Sequence, residues 1–150
     1  MRKLKSEVSR SVRYQRWLTV FVIAIDKYFD IYEEVGFLGT EYLTNKICNT
    51  IINCARKDLD LIARFGDSRF ILALPETEPE NAMQVASRIM NTFEKIDFQY
   101  QWFKTKISVS VGVSFYPGHA HTAVELVALA DIMCDHVGML GGGGVLVCPD

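Results

Sequence analysis

The sequence predicts one α+β domain with a βαββαβ arrangement, in which helices flank a mainly antiparallel sheet. Apolar runs rich in β-branched residues alternate with amphipathic helical patterns along the chain. Two of these runs are joined by a tight polar turn at residues 66–68, which is typical of a β-hairpin. The 150 residues are enough for one core and contain no linker or repeat, so we expect a single domain over residues 1–150.

The N-terminal part is predicted to form a helix followed by a buried strand. Leu4, Val8 and Val12 recur at four-residue spacing, which predicts a leading helix over residues 1–16 with these side chains on its buried face. The apolar run in residues 17–26 predicts the strand. The run is only about half of the roughly 20 residues that a membrane-spanning helix needs, so we expect no membrane segment.

The middle of the chain is predicted to hold a broken helical region, the hairpin and a further helix. Residues 27–57 indicate a short helix broken near Gly36 and Gly39 and then a longer one. The hairpin strands are predicted at 59–65 and 69–75. The buried side of the longer helix is predicted to consist of Leu43, Ile47, Ile51 and Cys54.

The C-terminal half is predicted to alternate helices and strands. Thr77 and Glu80 have the spacing of a capping box, and so do Thr122 and Glu125. They predict helices over residues 77–96 and 123–136. The remaining strands are predicted at 98–104, 106–117 and 145–148, the last of them after the glycine run 141–144.

Charge and cysteine content exclude several classes of function. The formal net charge of −2 gives no reason to expect nucleic-acid binding. The four cysteines lack metal-binding spacing, so we expect reduced thiols, no zinc and a cytoplasmic location, and we expect His119 and His121 to be solvated loop residues. A basic cluster near the N-terminus is either a solvated helix face or a contact with an anionic surface or partner: Arg2, Lys3, Lys5, Arg10, Arg13 and Arg16.

Three segments resemble the GGDEF domain of diguanylate cyclases, namely SRSVRYQRWLTVFVIAID, LDLIARFGDSRFILALPET and ISVSVGVSFYPGHAHTAVELVALAD. The resemblance covers nearly the whole chain and implies a ferredoxin-like nucleotide-cyclase fold. In that family, carboxylates at the end of the first strand and in the hairpin turn hold two divalent metal ions against GTP phosphates. The metals activate the attacking hydroxyl, and two GTP molecules are joined into cyclic di-GMP.

The resemblance also implies that residues central to this chemistry differ here. Where the family signature is Gly-Gly-Asp/Glu-Glu-Phe, this chain has Gly66, Asp67, Ser68, Arg69 and Phe70. Ser68 thus takes the place of an acidic metal ligand, and Ala24 takes the place of the first aspartate of the strand-end Asp-x-Asp, of which Asp26 is kept.

The positions that contact the nucleotide in the family differ as well. The resemblance places Tyr32 and Glu41 at the guanine-reading positions, and residues 138–142 carry no charge where the family has Lys-x-x-Gly-Arg. The Arg-x-x-Asp of the product-binding inhibitory site corresponds to Lys57 and Asp60, and we expect the neighbouring Arg56 side chain to point elsewhere. Lysine lacks the planar fork with which arginine grips guanine.

We therefore expect an inactive GGDEF-like domain that needs no metal or cofactor. It would act as a regulatory module in cyclic-di-GMP signalling through a protein partner or a homodimer. One alternative is a sensor that binds GTP or cyclic di-GMP without turnover, and another is an active cyclase with an unusual site. The residues that could contact a nucleotide are Asp26, Glu41, Lys57, Asp60 and Arg69.

Arg69 has two interpretations at this stage. Its guanidinium either pairs with Asp26 or Asp67 in place of the lost cation, or forms a metal-free phosphate pocket with Ser68. Trp102 and Phe103 are expected to belong to the core or to an interface.

Overall fold

The computed structural model of the protein describes residues 2–150 and forms four helices and seven strands within them. The helices are α1 (Arg2–Tyr14), α2 (Tyr28–Asn53), α3 (Pro79–Lys95) and α4 (Ala123–Met139). The strands are β1 (Leu18–Ile25), β2 (Leu61–Phe65), β3 (Arg69–Pro75), β4 (Phe98–Tyr100), β5 (Phe103–Thr105), β6 (Val109–Tyr116) and β7 (Val145–Val147).

Five of the strands form the central sheet in the order β2-β3-β1-β6-β7. β1 is antiparallel to both of its neighbours, and only β7 runs parallel to its partner β6. The predicted α+β class and mainly antiparallel sheet are confirmed. The single strand expected at 98–104 is wrong, because Gln101 adopts a φ of 53° and the chain turns there into the small β4–β5 hairpin.

Helices cover both faces of the central sheet, which explains why β1 is apolar throughout. Phe21 and Ile23 alternate with Val20 and Val22, and all four are fully buried. The first pair belongs to the core beneath α2 and α3, and the second pair to the core beneath α1 and α4. The end of β1 is therefore held rigidly between the two layers.

The leading helix buries a different third residue from the one that its spacing predicted. Leu4 and Val8 are buried, but Val12 is 44% exposed and Ser11 is buried instead. Each step of four residues rotates a position by about 40° on an α-helix, so the third member of such a series leaves the buried face.

Helix α2 is continuous apart from a kink at Gly36, where φ is 72°. The break predicted near Gly36 is confirmed, but the one near Gly39 is wrong. Gly39 is helical, and a Cβ there would lie 2.9 Å from the Tyr100 ring, so glycine permits β4 to approach. The predicted buried side of the helix is confirmed, since Leu43, Ile47, Ile51 and Cys54 are all buried.

One of the two predicted capping boxes places its threonine at the helix N-cap. Thr122 Oγ1 accepts a hydrogen bond from Glu125 N at 3.1 Å. The helix predicted over residues 77–96 is confirmed as α3, but its predicted Thr77 cap is wrong, because Glu78 is the N-cap residue and makes no side-chain cap. Thr77 Oγ1 instead accepts a bond from Arg56 Nη2 at 3.0 Å, and it is held between that arginine and the end of β3.

The His119 side chain is buried, and the four cysteines form no disulfide. The His119 side chain is only 3% exposed, and its Nδ1 accepts a hydrogen bond from Phe115 N, so a solvated His119 is wrong. All four thiols are free.

Among residues 2–150, none of the helices combines the length and apolar character that crossing a membrane requires.

Candidate functional site

The end of β1 and the turn between β2 and β3 lie next to each other at one end of the central strands. We call this place the junction. Ile25 N donates to Ser68 O at 2.9 Å, and Ala24 pairs with Arg69 across the β1–β3 ladder. Ala24 and Ser68 therefore lie side by side. Neither residue supplies a carboxylate here, whereas Mg²⁺ requires hard anionic oxygens.

The Arg69 side chain points toward α4 and pairs with two carboxylates there. Its guanidinium donates to Asp131 and to Asp135, which lie one helical turn apart. Burial lowers the Arg69 pKa, but the hydrogen bonds to Asp135 and Asp131 outweigh this effect and the net pKa is raised. The expected pairing with Asp26 or Asp67 is wrong, since Arg69 shares the sheet face that α4 covers.

Asp26 is bound by neighbouring donors of its own chain. Its Oδ1 accepts a bond from Ser110 Oγ at 2.5 Å, and its Oδ2 accepts bonds from Ser108 Oγ at 2.6 Å and Gly143 N at 2.8 Å. A Cβ on Gly142 would lie 2.6 Å from the Asp26 carboxyl carbon, so the glycine run packs directly against this group. The carboxylate is directed to β6 and the glycine run.

Cys134 is a buried residue of α4, on the same helix as the two carboxylates that pair with Arg69. Its thiol donates to Ser110 O at 3.3 Å, and burial raises its pKa to about 11. The thiol therefore remains protonated at neutral pH and is a poor nucleophile.

A second ion pair links α2 to the hairpin. Arg64 donates two hydrogen bonds to Glu41, at 2.9 and 3.0 Å, and a third to Asp67 O at 2.9 Å. The hydrogen bond from Arg64 lowers the pKa of Glu41 below its usual value of 4.5. Burial, and after it the charge of Asp67, raises the pKa of the nearby Tyr28. Tyr32, the other predicted guanine-reading position, is 44% exposed. Glu41, a predicted guanine contact, thus already has a cationic partner.

A third ion pair involves Asp60, whose side chain is 1% exposed. Asp60 accepts bonds from Arg56 Nη2 and from Arg56 N, each at 2.7 Å. The expectation that Arg56 points elsewhere is wrong. The left-handed residue Asp58, with a φ of 64°, reverses the chain after α2 and returns Asp60 to Arg56. Lys57 is exposed and makes no bond with Asp60, so the two predicted product-site residues are not joined.

The donor set at the junction does not fit a pair of divalent metal ions. Within residues 2–150, no group of three or more His, Cys, Asp and Glu side chains is arranged to hold a metal. The residues of the junction are an alanine, a serine and an arginine whose charge is already neutralised. The nearest strand-end carboxylate, Asp26, already accepts hydrogen bonds from two serine hydroxyls.

The partners of the arginines are what sequence reasoning missed. No site role was predicted for Asp131 and Asp135, although two acids at i and i+4 form a natural pair of acceptors for one arginine. The alternation of β3 was the available signal, because the buried Phe70 directs its neighbour Arg69 to the opposite face. Ser108 and Ser110 gave no signal beyond their place in a strand.

Comparisons with known proteins agree with this fold. The family model described as "Diguanylate cyclase, GGDEF domain" matches residues 1–141. Diguanylate cyclase A of Treponema denticola is 29% identical over 124 residues, which cover 83% of this chain and 33% of that protein. The chain thus spans about a third of the length of this curated relative.

Two solved structures share the architecture at identities that establish the fold alone. The GGDEF domain of YfiN (TpbB) from Pseudomonas aeruginosa has a TM-score of 0.89 and 23% identity, over 98% of this chain and 86% of that one. The diguanylate cyclase SiaD in complex with its activator SiaC, from the same organism, has a TM-score of 0.89 and 20% identity, over 97% and 55%. Since the family model matches almost the entire chain, this protein belongs to the GGDEF domain family and is related to diguanylate cyclases.

Proposed function

We propose that this GGDEF domain does not synthesise cyclic di-GMP and acts as a protein-interaction module in cyclic-di-GMP signalling. The juxtaposition of Ala24 and Ser68 carries the proposal. In the family these two positions supply metal-binding carboxylates, and here they meet without any anionic group. The domain would cover residues 1–150, with residues 1–16 as its leading helix, and would work in the cytoplasm.

The loss of rate expected from these replacements supports inactivity. Removing one group that stabilises transition-state charge commonly costs on the order of a hundred- to a thousandfold in rate. Here both acidic positions of the junction are changed, and Arg69 does not offer a replacement cation because two carboxylates neutralise it. The combined loss is incompatible with metal-dependent phosphoryl transfer.

The sensor alternative is less well supported by the contacts of the candidate residues. Asp60 is bound by Arg56, Glu41 by Arg64, and Arg69 by α4. A nucleotide would have to break one of these pairs before it gained a contact. A protein partner needs none of them, and the complex of SiaD with SiaC is an example of a GGDEF-containing protein bound to a regulator.

Turnover is tested by incubating the purified chain with GTP and Mg²⁺ or Mn²⁺ and separating the products by chromatography. We expect no cyclic di-GMP above the no-protein background, under conditions in which an active diguanylate cyclase gives product. Metal-dependent formation of cyclic di-GMP that is abolished by Ser68→Ala would overturn the proposal.

Binding without turnover is tested by calorimetric titration with GTP and with cyclic di-GMP, each with and without Mg²⁺. We expect no heat of binding. Lys57→Ala is the diagnostic variant for the product site, because Asp60 is tied to Arg56 and its removal would also disturb the fold. Micromolar binding of cyclic di-GMP that is lost in Lys57→Ala would establish the sensor instead.

A further inference from the structure

A cavity of about 540 Å³ opens between the start of α2, the end of α3 and strand β5. Apolar side chains form its floor, and carboxylates stand at its rim. We call it the acidic cavity, and its defining residues are Ile31, Phe93 and Phe103 in the floor and Asp30, Glu34 and Glu94 at the rim.

The rim of the acidic cavity carries excess negative charge. Asp30, Glu34 and Glu94 have no ion-pair partner in the part of the chain that the structure describes, residues 2–150. Of the two lysines that also line the cavity, Lys106 is already paired with Asp97 at 3.0 Å, which leaves Lys27. An occupant with an apolar body and positive charges would match this lining.

The acidic cavity adjoins the candidate site, because Asp26, Ser108 and Gly143 also line it. Asp30, Ile31 and Glu34 line it from α2, whereas Tyr28 and Tyr32 of the same helix do not.

The outer face of α1 has the complementary character. Four of its cations have no ion-pair partner among residues 2–150: Arg2, Lys3, Lys5 and Arg13. The C-terminal end of the helix adds apolar surface, because Val12 is 44% and Tyr14 is 56% exposed. The Arg13 guanidinium lies 5.5 Å from the centre of the Tyr14 ring, so apolar and cationic groups are presented together.

These two surfaces cannot meet within one molecule. Leu4 and Val8 of α1 pack on the sheet face shared with α4, whereas Ile31 and Phe93 of the cavity pack on the opposite face. We propose that the acidic cavity binds the outer face of α1 of a second copy of this chain. The inference rests on the proposed role as an interaction module and names its partner.

Contact between two different surfaces makes the association head-to-tail. Such an interface leaves one free surface at each end, so it produces chains or rings rather than only closed dimers. Opposite charges accelerate association and make it sensitive to salt. The Debye length falls from about 30 Å at 0.01 M salt to about 3 Å at 1 M salt, so the attraction is removed across this range.

The test is sedimentation velocity of the full chain over a range of concentrations at low and high salt. At low salt we expect the average mass to rise with concentration above the 17.0 kDa of one chain, and at high salt to return to that value. A monomer at every concentration and at both salt levels would overturn the proposal.

Two reciprocal variants identify the surfaces. Glu34→Lys with Glu94→Lys reverses the cavity, and Lys5→Glu with Arg13→Glu reverses α1. Each should be monomeric alone, and an equimolar mixture should associate again because an intact α1 meets an intact cavity. Failure of the mixture to associate, with both variants folded by circular dichroism, would contradict the proposal.

The matched control is Glu78→Lys with Glu80→Lys at the other end of α3. It changes the net charge by the same amount as the cavity variant, about 20 Å away along the helix. The control should associate like the unmodified chain, and loss of association there would mean that net charge, not the cavity, is responsible. Because none of these measurements involves GTP, failure of self-association would leave the absence of turnover unaffected.

Discussion

Three arginines near the candidate nucleotide contacts are each held by carboxylates of the same chain. Arg56 binds Asp60, Arg64 binds Glu41, and Arg69 binds the acids of α4. Arg56 and Arg64 each donate to both oxygens of one carboxylate, whereas Arg69 donates to one oxygen of each of two carboxylates. A ligand would have to displace these charge-assisted hydrogen bonds before it contacted the same groups. The candidate nucleotide contacts are in this way used as structural links.

Replacing Arg69 by methionine should destabilise the domain by about 1–2 kcal/mol. Breaking a buried ion pair costs about 3–5 kcal/mol, and solvent screening reduces this value here because the side chains of Arg69, Asp131 and Asp135 are 25%, 31% and 48% exposed. Urea denaturation measures the change. Adding Asp131→Asn and Asp135→Asn should recover most of the loss, whereas no recovery would show that the carboxylates are not the cause.

The Glu41–Arg64 pair should add a pH-dependent contribution to stability. Because the folded pKa of Glu41 lies below 4.5, the contribution is present above about pH 5 and is lost as pH falls through the folded pKa. Glu41→Gln should therefore be less stable than the original chain near neutrality, by under about 1 kcal/mol for so exposed a pair. Urea midpoints should converge below pH 4.5, and a gap that persists into acid would refute this assignment.

Residue identities were predictable at this scale, but their partners were not. The sequence places Ala24 and Ser68 at the junction through the hairpin pattern and the resemblance, and the structure brings them together. The partners of Arg69 lie 62 and 66 residues away, so only the packing of α4 on the sheet determines them. The Arg56–Asp60 pair is local in sequence, but it depends on the left-handed conformation of Asp58. No glycine or asparagine at that position indicated such a conformation.

Among the elements, α4 lies very close to β6 at Gly112. A Cβ placed on Gly112 would lie 1.8 Å from Ala130 O and 2.4 Å from Cys134 N, both of them backbone atoms of the helix. Such atoms move only if the helix moves. The position of α4, and with it the positions of Asp131 and Asp135, therefore depends on the missing side chain at Gly112.

Gly112→Ala should displace α4 and destabilise the domain by about 2–3 kcal/mol or prevent soluble folding. Gly118→Ala is the control, since nothing lies within 4 Å of its Cβ, and it should change stability by less than about 0.5 kcal/mol. Thermal unfolding monitored by circular dichroism compares the two. Equal stability of both variants would show that α4 can adapt without cost.

Elements were predicted best where one periodicity dominated. The alternating strand predicted at 106–117 and the amphipathic helix predicted at 77–96 follow from local pattern, and the structure has them as β6 (Val109–Tyr116) and α3 (Pro79–Lys95). The β4–β5 hairpin was missed because its turn, Gln101–Trp102, contains neither glycine nor proline. Thr77 was assigned to a helix cap because the spacing was right, but tertiary contact with Arg56 took its hydroxyl instead.

For the whole molecule, the central sheet couples two apolar cores, while α1 is attached by few side chains. β1 contributes buried residues to both cores, so neither can open without disturbing it. α1 buries only Leu4, Val8 and Ser11 among its thirteen residues. Local stability should thus be lowest at α1 and highest along β1 and β6.

Hydrogen exchange should show this gradient. Amides of residues 2–14 should exchange at least about a hundredfold faster than those of β1, because opening α1 exposes little apolar surface. Mass spectrometry of peptides from the intact chain measures the rates. Equal protection of α1 and β1 would mean that the helix unfolds only with the whole domain.

The link between Arg69 and α4 also constrains how this sequence can evolve. A glutamate at position 69, as in the family signature, would place a third carboxylate against Asp131 and Asp135 and would repel both. An acidic residue is therefore acceptable at that position only after α4 has changed, although neither change alone benefits the domain. A glutamate at position 69 is thus separated from the present sequence by less stable intermediates.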